Sequence, residues 1–247
     1  MKKVQSKASF PIEIITFVFL IVLGIISCKK ISSEKDISEY YFPLSHEGET
    51  IISKYNTIKV GRDTHQMTWH YNLKGADTLM ATGYDQNGQI LQQRTEQIIP
   101  NGIELKALTA FIPDSTGYFH RTEAGIIYDD VFPFEVKQQG GVFLYKIELP
   151  DPVQDGVVRT ITRNRRYLQD TTVIFQGEVI DGVIFDYKES IEDIREGRLT
   201  LDFYGQETYL KGVGLFERIR NYEESLFDIV RLKTISREGA KAQREEE

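Results

Sequence analysis

Residues able to do chemistry are few in this chain, and their spacing rarely suits a reaction. The four histidines are His46, His65, His70 and His120. His46-Glu47 opens like the zinc motif His-Glu-x-x-His, but Thr50 stands where the second histidine belongs. His65 and His70 fall on opposite faces of a strand, and Asp63 with His65 would supply only two donors, a poor metal site. No serine sits in a Gly-x-Ser-x-Gly elbow. No P-loop is present, and Gly212-x-Gly214 does not continue with the spacing of a dinucleotide loop. Asp85-Gln86-Asn87-Gly88 starts like a calcium loop without its closing glutamate. The acid pairs Asp129/Asp130 and Glu192/Asp193 would need carboxyls roughly 5–9 Å apart to act as a glycosidase pair, and sequence spacing does not establish that. We therefore assign no catalytic residue, no metal site and no cofactor. One cationic group stands out: Arg159, Arg163, Arg165 and Arg166 lie within eight residues of an otherwise acidic region. Arg159, Arg163 and Arg165 share strand parity, and guanidinium groups bind phosphate in a bidentate manner. They form a candidate anion site for lipid headgroups or other anions. The alternative is a solvated hairpin end paired with Asp155 and Asp170.

Cys28 is the only cysteine. It follows a basic start (Lys2, Lys3, Lys7) and an apolar run of 13 residues, Ile14 to Ile26. As a helix that run spans roughly 20 Å, whereas a bilayer core is about 30 Å thick. A short apolar stretch behind a positive start, with a small residue at its end, fits a signal peptide. Ile25-Ile26-Ser27-Cys28 resembles the lipobox of bacterial lipoproteins: an aliphatic residue three places before the cysteine and a small residue directly before it. The resemblance implies cleavage between Ser27 and Cys28, a diacylglycerol thioether on Cys28 and a third acyl chain on the new amino group. Two or more acyl chains hold a protein on a membrane, at about 0.8 kcal/mol per buried methylene. An uncleaved anchor helix and an ordinary buried cysteine are the alternatives. Lys29, in place of aspartate, resembles the enteric signal for outer-membrane delivery. The tether carries no acidic cluster directly after Cys28, which favours the periplasmic face over the outer surface.

Removing residues 1–27 removes three lysines and one glutamate and leaves 27 basic and 36 acidic side chains, a net charge of −9. That balance argues against a nucleic-acid partner. With the lone cysteine assigned to lipid, the folded part has no disulfide, thiolate nucleophile or cysteine metal site. Residues 28–39 read as the lipidated N-terminus and a polar tether, 40–236 as a single β-rich domain and 237–247 as a charged, flexible tail.

The domain holds many short runs of β-branched and aromatic residues between turn signals; the whole chain has 13 Tyr and 14 Phe. Asn87-Gly88 and Asp181-Gly182 suit the type I′ turn of a hairpin. Asn101-Gly102 marks another turn and Gly140-Gly141 a break. Ser190–Gly197 and Tyr222–Val230 are candidate short helices. The expected class is mainly β: a strongly curved antiparallel sheet, as a half-open barrel or a sandwich, with at most one or two short helices.

Two segments, Tyr40-Tyr41-Phe42-Pro43-Leu44 and Tyr209-Leu210-Lys211-Gly212-Val213-Gly214-Leu215-Phe216-Glu217, resemble a group of secreted bacterial lipoproteins to which no activity is assigned. Some of that group are related to the half-barrel of the periplasmic lipoprotein carriers LolA and LolB. The resemblance implies a curved half-barrel and supplies no catalytic residues. Read from the residues alone, Tyr41 and Phe42 are packing, Pro43 stops a strand, and Gly212 and Gly214 let the chain bend or approach another backbone.

Three functions compete. The first is a non-enzymatic module at the envelope that binds an apolar ligand or a protein partner, with a pocket of Tyr, Phe, Ile and Val and few polar groups. The second is a structural or assembly component of the outer membrane with no small ligand, which needs an exposed apolar patch or strand edge. An envelope hydrolase ranks last.

Overall fold

The computed structural model describes residues 34–41, 48–61, 64–137, 140–194 and 198–238. The signal segment, Ser27 and Cys28 lie outside the described residues. So do Phe42, Pro43, Leu44, His46, Asp63 and the tail from 239 onward.

The alternation read from the sequence becomes fifteen strands and one turn of helix. In chain order these are β1 (Lys35–Asp36), α1 (Ser38–Tyr41), β2 (Thr50–Lys59), β3 (His65–Lys74), β4 (Thr78–Tyr84) and β5 (Ile90–Ile99). Next come β6 (Gly102–Pro113), β7 (Phe119–Glu123), β8 (Gly125–Pro133), β9 (Glu135–Val136) and β10 (Phe143–Pro150). The last five are β11 (Val158–Phe175), β12 (Glu178–Ile194), β13 (Arg198–Leu210), β14 (Gly214–Tyr222) and β15 (Ser225–Glu238).

Twelve strands form one antiparallel sheet in the order β5-β4-β3-β2-β15-β14-β13-β12-β11-β10-β8-β6. The sheet closes because β6 also pairs with β5 along its length, from Gln92↔Ala110 to Ile99↔Gly102. The fold is therefore the mainly β, strongly curved antiparallel sheet expected, in the form of a barrel rather than a sandwich. The β6–β8 seam is its shortest join, with three residue pairs from Gly102↔Pro133 to Glu104↔Asp130. Further along β6 the neighbour is β7. Among the described residues no helix is long and apolar enough to cross a membrane.

Several sequence expectations are corrected. Asp181-Gly182 is not a turn but lies inside β12. A Cβ on Gly182 would stand 2.9 Å from both Leu210 Cδ2 and Thr171 Cγ2, so glycine serves close packing there. The real hairpin turn is Gln176-Gly177, where φ is 53° and 88°, the positive values a type I′ turn needs. The two candidate helices are strand in their described parts: Ser190–Ile194 ends β12, and Tyr222–Val230 is the β14–β15 hairpin. Asn87-Gly88 does sit in a hairpin turn, with Asp85 Oδ1 accepting from the Asn87 and Gln89 N–H groups at 2.8 Å.

The packed part also starts earlier than residue 40. β1 pairs with β9, and Ile37, expected in the polar tether, is 0% exposed in the main core. Its N–H donates to Phe134 O at 2.7 Å. Asp36 Oδ1 accepts from Ser38 N–H at 2.8 Å and caps α1. The helix packs into one end of the barrel, where the Gly212 N–H donates to Glu39 O at 2.8 Å and Lys211 pairs with Glu39 at 2.7 Å. The Tyr41 ring lies 5.0 Å from Phe132 and 6.3 Å from Tyr209. The described parts of the two segments that carry the family resemblance thus meet in space. Gly212, at φ 70°, both bends the chain and brings the backbones together.

Ile37→Ala should cost about 2–5 kcal/mol, because the barrel core cannot collapse onto the space left behind. At Gly205 a Cβ would stand 1.8 Å from Ile219 O, so Gly205→Ala should force β13 and β14 apart and lower the denaturation midpoint. Urea unfolding of both variants beside the exposed Tyr118→Ala, expected to be near neutral, checks these values.

Candidate functional site

Residues two apart on a strand share a face, so each strand can send charged pairs inward. β11 supplies Arg163 and Arg165, β14 supplies Arg218 and Arg220, and β5 supplies Arg94 and Glu96. Cross-strand register then decides which charges meet. Arg163 lies opposite Glu189 of β12, Arg218 opposite Glu207 of β13, and Arg220 opposite Asp228 of β15.

The contacts form a connected network. Arg163 donates through Nε to Glu189 Oε2 at 2.9 Å and lies 3.5 Å from Glu207 Oε1. Arg165 donates through Nε to Glu207 Oε2 at 2.6 Å and through Nη1 to Val131 O at 2.9 Å. The Tyr209 hydroxyl donates to Glu207 Oε2 at 3.1 Å. Arg220 bridges Glu189 Oε1 at 3.0 Å and Asp228 Oδ2 at 2.5 Å. Arg94 pairs with Glu96 at 3.3 Å, and its guanidinium carbon lies 4.6 Å over the ring of Trp69, the only tryptophan. Glu96 in turn accepts from the Tyr41 hydroxyl at 2.9 Å, which ties α1 to the network.

Burial by itself would push the Glu207 and Glu189 carboxyls up. The guanidinium groups outweigh it, chiefly Arg165 and Arg163 at Glu207 and Arg163 and Arg218 at Glu189, and hold both at about 2. Burial would likewise lower Arg94 and Arg163, but Glu96, and Glu189 with Glu207, raise them. Glu189 and Glu207 are therefore held as carboxylates by the guanidinium groups that face them. Burial also raises the Tyr187 hydroxyl to about 12.

Two adjoining chambers occupy this interior, with cavity volumes of about 130 Å³ and about 320 Å³. Both are lined by Trp69, Arg94, Val131, Arg163, Arg165 and Arg218. The smaller adds Tyr41, Tyr55, Met67 and Tyr71, and the larger reaches Gln92, Tyr145, Ile191 and Arg220. A chamber of this make-up can hold a small molecule with an anionic group and a flat face. It is not the pocket of few polar groups that the sequence suggests.

The predicted arginine cluster is divided. Arg163 and Arg165 face the chambers. Arg159 pairs with Asp193 at 3.3 Å and is 39% exposed, and Arg166 is exposed on the outer face. Arg159 stands beside the β10–β11 hairpin loop, opposite Leu149, and the other three lie further along β11. Asp170 instead holds Lys35 and the Tyr167 hydroxyl. Sequence reading missed Arg94, Arg218, Arg220, Glu189 and Glu207. The usable signal was charge at inward parity in long strands, as in Arg218-Ile219-Arg220. Away from the chambers His120 lies 2.9 Å from Asp114, and His70 packs on Tyr84 at 4.8 Å. Among the described residues no group of three or more His, Cys, Asp or Glu is placed to hold a metal ion.

No family model matches the sequence, and neither does any curated protein. Among solved structures the chain is similar to a protein classed as a lipoprotein from Parabacteroides distasonis ATCC 8503, with a TM-score of 0.53 and 11% identity. That match covers 80% of this chain and 99% of the other. A looser likeness, TM-score 0.45 with 14% identity over 80% and 99% of the chains, is to a protein from Bacteroides fragilis NCTC 9343 classed as exported and having a YmcC-like fold. At such identity the first match establishes a shared fold.

Arg165→Met should cost about 3–5 kcal/mol by leaving Glu207 less compensated, and the pair Arg165→Met/Glu207→Leu should recover most of that loss. Acid should act in the same direction. Glu189 and Glu207 titrate at about 2 in the fold against an ordinary 4.5, so their contribution is complete above 4.5 and fades as pH falls toward 2. Denaturant midpoints at pH 7 and pH 3 measure both effects, and the double variant should lose less on acidification than the parent.

Proposed function

We propose that the chain is a lipid-anchored protein of the bacterial cell envelope whose barrel is a non-enzymatic binding module with its ligand inside. The observation that carries the binding reading is the pair of chambers in the middle of the barrel, lined by both arginine and aromatic side chains. A core needed only for stability favours close packing, and buried ion pairs add little net stability over apolar side chains of the same volume. Five arginines kept around open volume are better suited to recognition. The anchor rests on the lipobox-like Ile25-Ile26-Ser27-Cys28, and the Parabacteroides protein classed as a lipoprotein supports that reading. We place the protein at the outer membrane facing the periplasm, on the Lys29 argument.

Two measurements test this. Cys28→Ser should remove the lipid mass and prevent cleavage at Ser27; a chain that stays on membranes at normal size without lipid would contradict the anchor. Native mass spectrometry of the gently purified parent should show one retained small molecule that Arg163→Met/Arg218→Met releases. A retained mass unaffected by those changes would contradict a ligand inside the barrel.

A further inference from the structure

We infer that the space shared by the two chambers, around Arg218, binds a single monoanionic oxyanion, a carboxylate or a phosphodiester, carried on a small body with a flat or apolar face. This rests on the binding-module reading and specifies its ligand.

The charges around the chambers do not balance. Around the chambers stand five guanidinium groups, on Arg94, Arg163, Arg165, Arg218 and Arg220. Four carboxylates are matched to them: Glu96 to Arg94, Glu207 to Arg163 and Arg165, Glu189 to Arg163 and Arg220, and Asp228 to Arg220. Arg218 takes no carboxylate within 4 Å among the described residues, and its Nε is shut off from solvent with no hydrogen-bond partner. One positive charge is left over, inside a chain whose overall charge is −7.

Such a charge is unfavourable in a low-dielectric interior unless an anion joins it. Arg218 lines both chambers, so the missing anion has room. The Nε atoms of Arg94 and Arg220 are also buried without partners, which leaves further donors turned away from the existing carboxylates. A guanidinium presents its Nε–H and an Nη–H in parallel to two oxygens, the geometry of a carboxylate or a phosphate ester. A surplus of one favours a singly charged group over sulfate or a polyanion. Trp69, whose ring is covered by the Arg94 guanidinium, lines both chambers, and Tyr145 and Ile191 of the larger one add the flat and apolar surface against which the rest of the ligand can lie.

Isothermal titration of the full-length protein in detergent, with blank micelles subtracted, tests this using benzoate, dimethyl phosphate and the neutral benzamide. Benzoate or dimethyl phosphate should bind at least about tenfold tighter than benzamide. A preference for dimethyl phosphate points to a lipid headgroup, and a preference for benzoate to a free organic acid. Arg218→Met should weaken the anion at least about tenfold while costing less ligand-free stability than Arg165→Met, since Arg218 acts on Glu189 and Glu207 only through space and makes no ion pair with either. A purely structural arginine would show the opposite, a stability loss as large as that of Arg165→Met and unchanged affinity, and that result overturns the inference. Equal binding of benzamide and benzoate also overturns it. If neither anion binds but native mass spectrometry finds a neutral occupant, this inference fails and the binding-module reading stands. If there is neither anion binding nor an occupant, both fall.

Discussion

The structure depends on one constraint: five guanidinium groups and four carboxylates share the inside of a closed barrel, largely removed from bulk water, and all but Arg218 are ion-paired there. Removing an isolated charge from water is costly, and only close pairing offsets it. The pairing here runs across five strands, from Arg163 and Arg165 on β11 through Glu189 and Glu207 to Arg220 and Asp228 on β15. Because the side-chain period of a strand is two, a slip of one residue in any of these ladders would turn a charge outward and leave its partner buried alone. The network therefore fixes register as well as defining the chambers.

The same network reaches the N-terminal turn. Tyr41 joins Glu96 to the aromatic cluster of Phe132, Phe185 and Tyr209, and the backbone at Gly212 fastens the helix from outside. A short α1 has little stability of its own. Its position comes from these contacts and from Ile37, which sits fully buried one residue before it. α1 is thereby tied to the charge network that lines the chambers.

Much of this fold was legible in the sequence, because alternation and turn chemistry are local. Asn87-Gly88 is a hairpin turn for the reason its residue types imply, and Arg163 and Arg165 do share a face. Failures came where a residue type has two uses. Gly182 looked like a turn residue but is small because Leu210 and Thr171 crowd it, while the less conspicuous Gln176-Gly177 makes the turn. Glu192-Asp193 and Glu223-Glu224 gave a helical appearance to segments that the sheet holds as strand and hairpin. The site was least legible. Arg94, Arg163 and Arg218 lie far apart in the chain, and only strand order brings them together.

The chambers depend on Glu189 and Glu207 being carboxylates rather than neutral acids. Carbon-detected NMR titration of the side-chain carboxyls of Glu189 and Glu207 tests that directly. Both should remain carboxylates well below pH 4, with midpoints near 2. Midpoints at or above the ordinary glutamate value of 4.5 would mean that the arginines do not hold them, and would contradict the charge balance on which the chambers are explained.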